Sequence, residues 1–194
     1  MSNRIALLSA AAFGALTLTA TVVAPAAAQD KMMKSEMSGE KTVMVGGAPM
    51  YPSKNIIQNA VNSRDHTTLV AAVKAAGLVD TLEGKGPFTV FAPTNAAFGK
   101  LPPGTVDNLV KPANKATLTK ILTYHVVPGR FEASDLTDGK TLKTVEGETL
   151  TVSNKDGKVT LTDAKGGTST VTIANVNQSN GVIHVIDTVL MPAS

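Results

Sequence analysis

The sequence predicts an α+β domain. Three observations carry that prediction: helical periodicity in the first half, turn-punctuated alternation in the last third, and a closing segment apolar on both parities.

Asn55 to Val61 has the spacing of a short amphipathic helix. Asp65 is expected to cap the next one, whose Leu69, Val70, Val73 and Ala76 share a face, with Gly77 as its stop. Phe88 to Ala92 is β-branched and aromatic, so it reads as a strand ended by Pro93. Thr94 or Asn95 is expected to cap a short helix through Phe98, and Thr105 another through Val110. A longer helix starts at Pro112 or Asn114, with Leu118, Ile121, Leu122 and His125 on one stripe. The remaining strands are expected at 142–145, 149–153, 159–162, 171–176 and 182–191. Asp156-Gly157 between two alternating runs is a hairpin signal. The last segment, Gly181-Val-Ile-His-Val-Ile-Asp187, places apolar side chains on both faces, so it is expected to be central and covered on both sides.

The N-terminus has the three parts of a secretory signal. Arg4 is positive, Ile5 to Val23 is uncharged and apolar, and Ala26-Ala27-Ala28 offers small residues for cleavage before Gln29. A membrane anchor competes, because a span needs roughly 20 residues. Ala, Thr and Gly dilute the run, however, and no basic cluster follows it. Residues 1–28 are therefore expected to be a cleaved signal, leaving no stable membrane anchor. Residues 29–51 read as a flexible Met-rich leader and 52–194 as one domain. The product is expected to be exported, either periplasmic or secreted.

Composition removes several function classes. The chain has no Cys, which excludes disulfides, thiolate metal sites, Cys nucleophiles and a lipoprotein anchor. Lys and Arg number 18 against 15 acidic residues. That balance is too even to argue for nucleic acid. Thioethers bind Cu(I), which makes Met32, Met33 and Met37 weak metal candidates. An incidental Met content is the preferred reading, and no cofactor is expected.

Only three histidines are present: His66, His125 and His184. His184 and Asp187 with a hydroxyl would suggest a hydrolase. Three residues apart in a strand, they point to opposite faces and form no dyad. No nucleophile elbow, zinc-helix motif or phosphate-binding glycine loop is present. His184 is expected to be a buried structural residue, His125 a core or boundary residue, and His66 an exposed one. The chain is read as a non-enzyme.

Two boxes and a pair between them carry a family resemblance. Phe88-Thr-Val-Phe-Ala-Pro-Thr-Asn-Ala-Ala-Phe98 is the first box, and Asn180-Gly-Val-Ile-His-Val-Ile-Asp-Thr-Val-Leu-Met-Pro192 is the second. Tyr124-His125 lies between them. In this order they resemble a fasciclin-type adhesion domain, of the small secreted bacterial single-domain kind. The resemblance implies a β-wedge of two small sheets with a packed helical layer. It makes Phe88, Phe91, Thr94, Asn95, Phe98, His184 and Asp187 structural motif residues. It makes Tyr124, His125, Val126 and Val127 candidates for an adhesion contact. Where many members carry an acidic residue before the Ala-Phe pair, this chain has Ala96. The implied function is an extracytoplasmic binding module that supports adhesion, with a protein or glycan at a cell surface, matrix or host as partner. The alternative is a periplasmic small-ligand or copper-binding protein using the Met-rich leader.

Overall fold

The computed structural model describes residues 41–193. A hairpin opens the described chain, with β1 at Val43–Val45 and β2 at Ala48–Met50. The helical layer follows: α1 at Ile56–Ala60, a 3-10 turn at Arg64–His66, α2 at Thr67–Ala76 and α3 at Val79–Glu83. Strand β3 spans Phe88–Pro93. Helices α4 (Asn95–Gly99), α5 (Thr105–Leu109) and α6 (Lys115–Tyr124) come next, the last led in by a 3-10 turn at Pro112–Asn114. Strands β4 (Val126–Pro128), β5 (Thr141–Lys143), β6 (Thr149–Lys155), β7 (Lys158–Thr162), β8 (Thr168–Gln178) and β9 (Gly181–Ile186) complete the fold.

The large sheet runs β4-β3-β9-β8-β7-β6-β5. Its two halves share β8. Thr168 to Thr170 pair with β7, while the rest of that strand, from Val171, pairs with β9 across two register shifts. The halves splay there into the predicted wedge, because a bulge bends a strand and increases its twist. The wedge nearly closes on itself, since Val145 donates its N–H to Val126 O at 2.8 Å.

Strand β9 sits at the centre, parallel to β3 and antiparallel to β8. All six of its residues are buried, as its double apolar parity predicts. Ile183 and Val185 face the core beneath the helices, with Val90 and Ala92 of β3. Ile186 faces a second core inside the wedge, with Phe91, Tyr124, Leu150 and Leu161. Each such aliphatic side chain contributes about 1.5–3 kcal/mol by leaving water. The β6–β7 hairpin also forms as expected. Asp156 and Gly157 both take positive φ, at 53° and 79°, and join strands whose Lys155 and Lys158 are opposite.

Three expectations need correction. The reading of residues 29–51 as a flexible leader fails over 43–50, which fold as the hairpin. Val45, Ala48 and Met50 are buried in the core under the helices, where their apolar area offsets the cost of ordering the chain. The last strand ends at Ile186 rather than Met191, because Asp187 turns back to bond the backbone of Thr170. Asp65 does not cap α2 and lies in the 3-10 turn before it. The expected signal segment lies outside the described residues, as do Met32, Met33 and Met37. Among the described residues no helix is long and apolar enough to cross a membrane.

Candidate functional site

The Tyr-His segment joins the two cores. Helix α6 ends at Tyr124, and β4 begins one residue after His125. Tyr124 is fully buried in the wedge. Its hydroxyl donates to Thr149 O at 3.2 Å and accepts the N–H of Ala164 at 2.9 Å. Burial pushes its pKa up.

His125 is 2% exposed. Its Nδ1 donates to Ile121 O at 2.8 Å, so Nε2 is the acceptor, taking the N–H of Leu190 at 3.0 Å. Its own carbonyl accepts the N–H of Phe91. The ring is therefore neutral, and burial lowers its pKa to about 4. Val126 and Val127 are buried as well. All four residues expected at an adhesion contact lie inside the domain. The Tyr124 hydroxyl holds β6 and Ala164, and the His125 ring holds α6 to the C-terminal segment, so the folded surface does not present them to a partner.

The boxes hold their own structure in the same way. Thr94 caps α4 by accepting the N–H of Ala97 at 3.2 Å. No acidic residue assists in that first turn, where Ala96 stands. Asn95 reaches across to a different helix. Its Oδ1 accepts the N–H of Thr68 at 3.0 Å, and its Nδ2 donates to Arg64 O at 2.8 Å. It thus supplies the cap of α2 that Asp65 does not. Phe91 stacks on His184 with ring centroids 5.7 Å apart. Phe88 and Phe98 pack against the core beneath the helices.

His184 and Asp187 serve separate partners. His184 Nε2 donates to Phe131 O at 2.8 Å, and burial lowers its pKa. Asp187 accepts the N–H of Thr170 at 2.9 Å and pairs with Lys100 at 3.7 Å. Its partial burial pulls its pKa up, but the bonds from Thr170 and Thr188 and the nearby Lys100 outweigh that and hold it low.

His66 corrects the expectation of exposure. It is buried at the end of the 3-10 turn, with Nδ1 2.8 Å from Ser63 Oγ. Burial lowers its pKa, partly opposed by the Ala92 backbone. Nε2 makes no hydrogen bond of normal geometry. The ring borders an apolar cavity of about 40 Å³ beneath the hairpin, lined also by Val45, Met50, Val73, Val90 and Ile183. That space suits a water or two at most. Nothing in the spacing of Asp65-His66 signals burial, because it follows from the hairpin packing over the turn. Gly46 O accepts the N–H of Arg64 there.

Asn180 carries more than the turn its Asn-Gly signal implies. Its Oδ1 accepts the N–H of Ile56, and its Nδ2 donates to Leu82 O and Gly84 O. One side chain therefore ties α1, α3 and β9 together.

The sequence matches the fasciclin domain over residues 64–192. It is 50% identical over 153 residues to protein sll1483 of Synechocystis sp., across 79% of this chain and 82% of that one. It is 36% identical over 199 residues to immunogenic protein MPB70 of Mycobacterium bovis, across 99% of this chain and 98% of the other. The fold matches a FAS1 domain pair from the insect cell adhesion molecule fasciclin I, with a TM-score of 0.65 at 18% identity. That match covers 78% of this chain and 58% of the insect one. The two boxes, the Tyr-His pair between them and the shared wedge therefore have one source: the chain belongs to the fasciclin domain family.

Proposed function

We propose that this chain is an exported, non-enzymatic binding domain that supports adhesion to a cell, envelope or matrix surface. The observation that carries the reading is the family match over residues 64–192, together with a fold shared with a cell adhesion molecule. The internal chemistry supports it. The rings of His125 and His184 and the hydroxyl of Tyr124 are engaged with backbone groups. These three groups are occupied in holding the fold.

The working surface is therefore the exterior of the domain, with a protein or glycan as partner. Export follows from the N-terminal signal pattern, and N-terminal sequencing of the exported product is expected to begin at Gln29. Adhesion is tested by coating a surface with the purified protein and counting attached cells or envelope fragments. Attachment above an albumin-coated surface, competed by soluble protein, is the expected result. Attachment no better than albumin ends the reading.

A further inference from the structure

A cleft of about 480 Å³ opens at the end of the domain where β3 and β9 begin. Asn55 and Gln58 of the α1 segment form one wall. The loop from Glu83 to Pro87 forms another, and Arg130 with the turn at Ser179 to Gly181 completes it. This is the size of a small-ligand site. It lies apart from the buried Tyr-His segment.

The polar groups here are mostly donors. Lys85 and Arg130 are cationic, and Glu83 is the one carboxylate among the lining residues. Arg130 is already steered by Asn177 Oδ1 and Glu132. In Asn55 and Gln58 the carbonyl oxygens are consumed by the capping box of α1. Their amide Nδ2 and Nε2 groups, with Ser179 Oγ and Lys85 Nζ, carry no hydrogen bond among the described residues. Beside the single Glu83 carboxylate the open side-chain groups are mainly donors, and such a site selects a ligand rich in acceptors.

The floor is rigid. A Cβ on Gly86 would lie 2.1 Å from Asn180 O, and one on Gly181 would lie 2.0 Å from Phe88 O. The two backbone segments pack directly on each other, and Asn180 is bonded on three sides. Donors set on such a floor need little reordering on binding.

We propose that this cleft binds the carboxylate-bearing sugar of an acidic glycan. Lys85 and Arg130 face the carboxylate, and the amides of Asn55 and Gln58 with Ser179 address ring and hydroxyl oxygens. The lining favours a sugar over an acidic peptide. Peptide sites rest on apolar or aromatic anchor pockets, and here Pro87 is the only apolar side chain larger than a hydrogen in the lining. The proposal builds on the adhesion reading and names its partner class.

The test is calorimetric titration of the purified protein with oligogalacturonate, neutral dextran oligomers and polyglutamate. The expected result is saturable binding of oligogalacturonate alone. Lys85→Gln and Arg130→Gln should each weaken it about tenfold. Lys74→Gln, on the exposed face of α2, should leave it unchanged. An equal loss with Lys74→Gln means general attraction to a basic protein and overturns the site. Polyglutamate binding as tightly, with the same dependence on Lys85, makes it a peptide site instead. No saturable binding also overturns it. Circular dichroism of each variant separates lost binding from lost folding. If oligogalacturonate fails while coated surfaces still retain cells, the cleft proposal falls and the adhesion reading stands.

Discussion

The Nε2 of His125 accepts the N–H of Leu190 at 3.0 Å, across 65 residues of chain. The contact requires a neutral ring, because Nδ1 already donates to Ile121 O. The C-terminal segment is thus fastened to helix α6 by a group that can take up a proton.

Acid should therefore weaken the fold from about pH 6.5 downward. In the unfolded chain the imidazole gains its proton near pH 6.5, while in the folded chain it stays neutral down to about 4. Protons bind the unfolded state preferentially between those values, so stability falls as pH drops through that window. The His125 share is on the order of 3 kcal/mol. His66 and His184 shift in the same direction and add to it. Urea melts from pH 7.5 to 4 should show the decline. A flat profile from 6.5 to 4.5 would contradict the neutral-ring account.

Asn95→Ala should destabilise a helix that Asn95 does not belong to. It leaves the N–H of Thr68 and the carbonyl of Arg64 without their partner, at a cost of about 1–2 kcal/mol. Hydrogen exchange should quicken at the start of α2 more than in α4. Thr94→Ala should show the opposite pattern, at about 1 kcal/mol. Equal effects on both helices would mean the two caps are not separable.

Gly181→Ala should be among the most damaging single-methyl additions available. The new Cβ would meet Phe88 O, a backbone atom in the central parallel pair, so nothing flexible can yield. A loss of roughly 3 kcal/mol or more is expected. Gly157→Ala has open space around it and is strained only by its φ of 79°, so it should cost about 1–2 kcal/mol. Chemical denaturation of both variants checks the order.

Met50→Ala should cost about 2–5 kcal/mol, as for a core residue. Deleting residues 41–50 should expose the apolar lining around His66 and raise binding of a hydrophobic dye. A truncated protein as stable as the full chain would return the hairpin to the status of a leader.

Much of the fold was readable from local signals. Gly77 stops α2 in the left-handed conformation at φ 73°, and Asn55 forms a full capping box with Gln58. The alternation of Leu150/Val152 and Val159/Leu161 marks the buried face of its hairpin. Non-local features left no such trace. Residues 43–50 are apolar apart from Gly46-Gly47, but each strand is only three residues long and one holds Pro49, so no alternation shows and the hairpin's order comes from the helical layer it covers. Asn95 sits where a local cap belongs, and only the folded chain brings Thr68 within its reach. The helical stripe placed His125 at the core or its boundary, while the family resemblance made the Tyr-His segment a candidate contact. The burial of His125 follows that stripe, whereas Tyr124 lies off it and goes inside because its hydroxyl finds Thr149 and Ala164 in the wedge.

The bond from Val145 to Val126 also protects the borders of the large sheet. A β-sheet with open borders invites strands of neighbouring molecules to join it, and the hazard grows wherever proteins concentrate. Here β4, one border of the large sheet, is met by Val145, two residues past β5 at the other border, which occupies part of that edge. The small β1–β2 sheet keeps its borders, but each strand is three residues long, and Pro49 removes one donor from β2. Edges this short and this occupied give a second molecule little backbone to pair with.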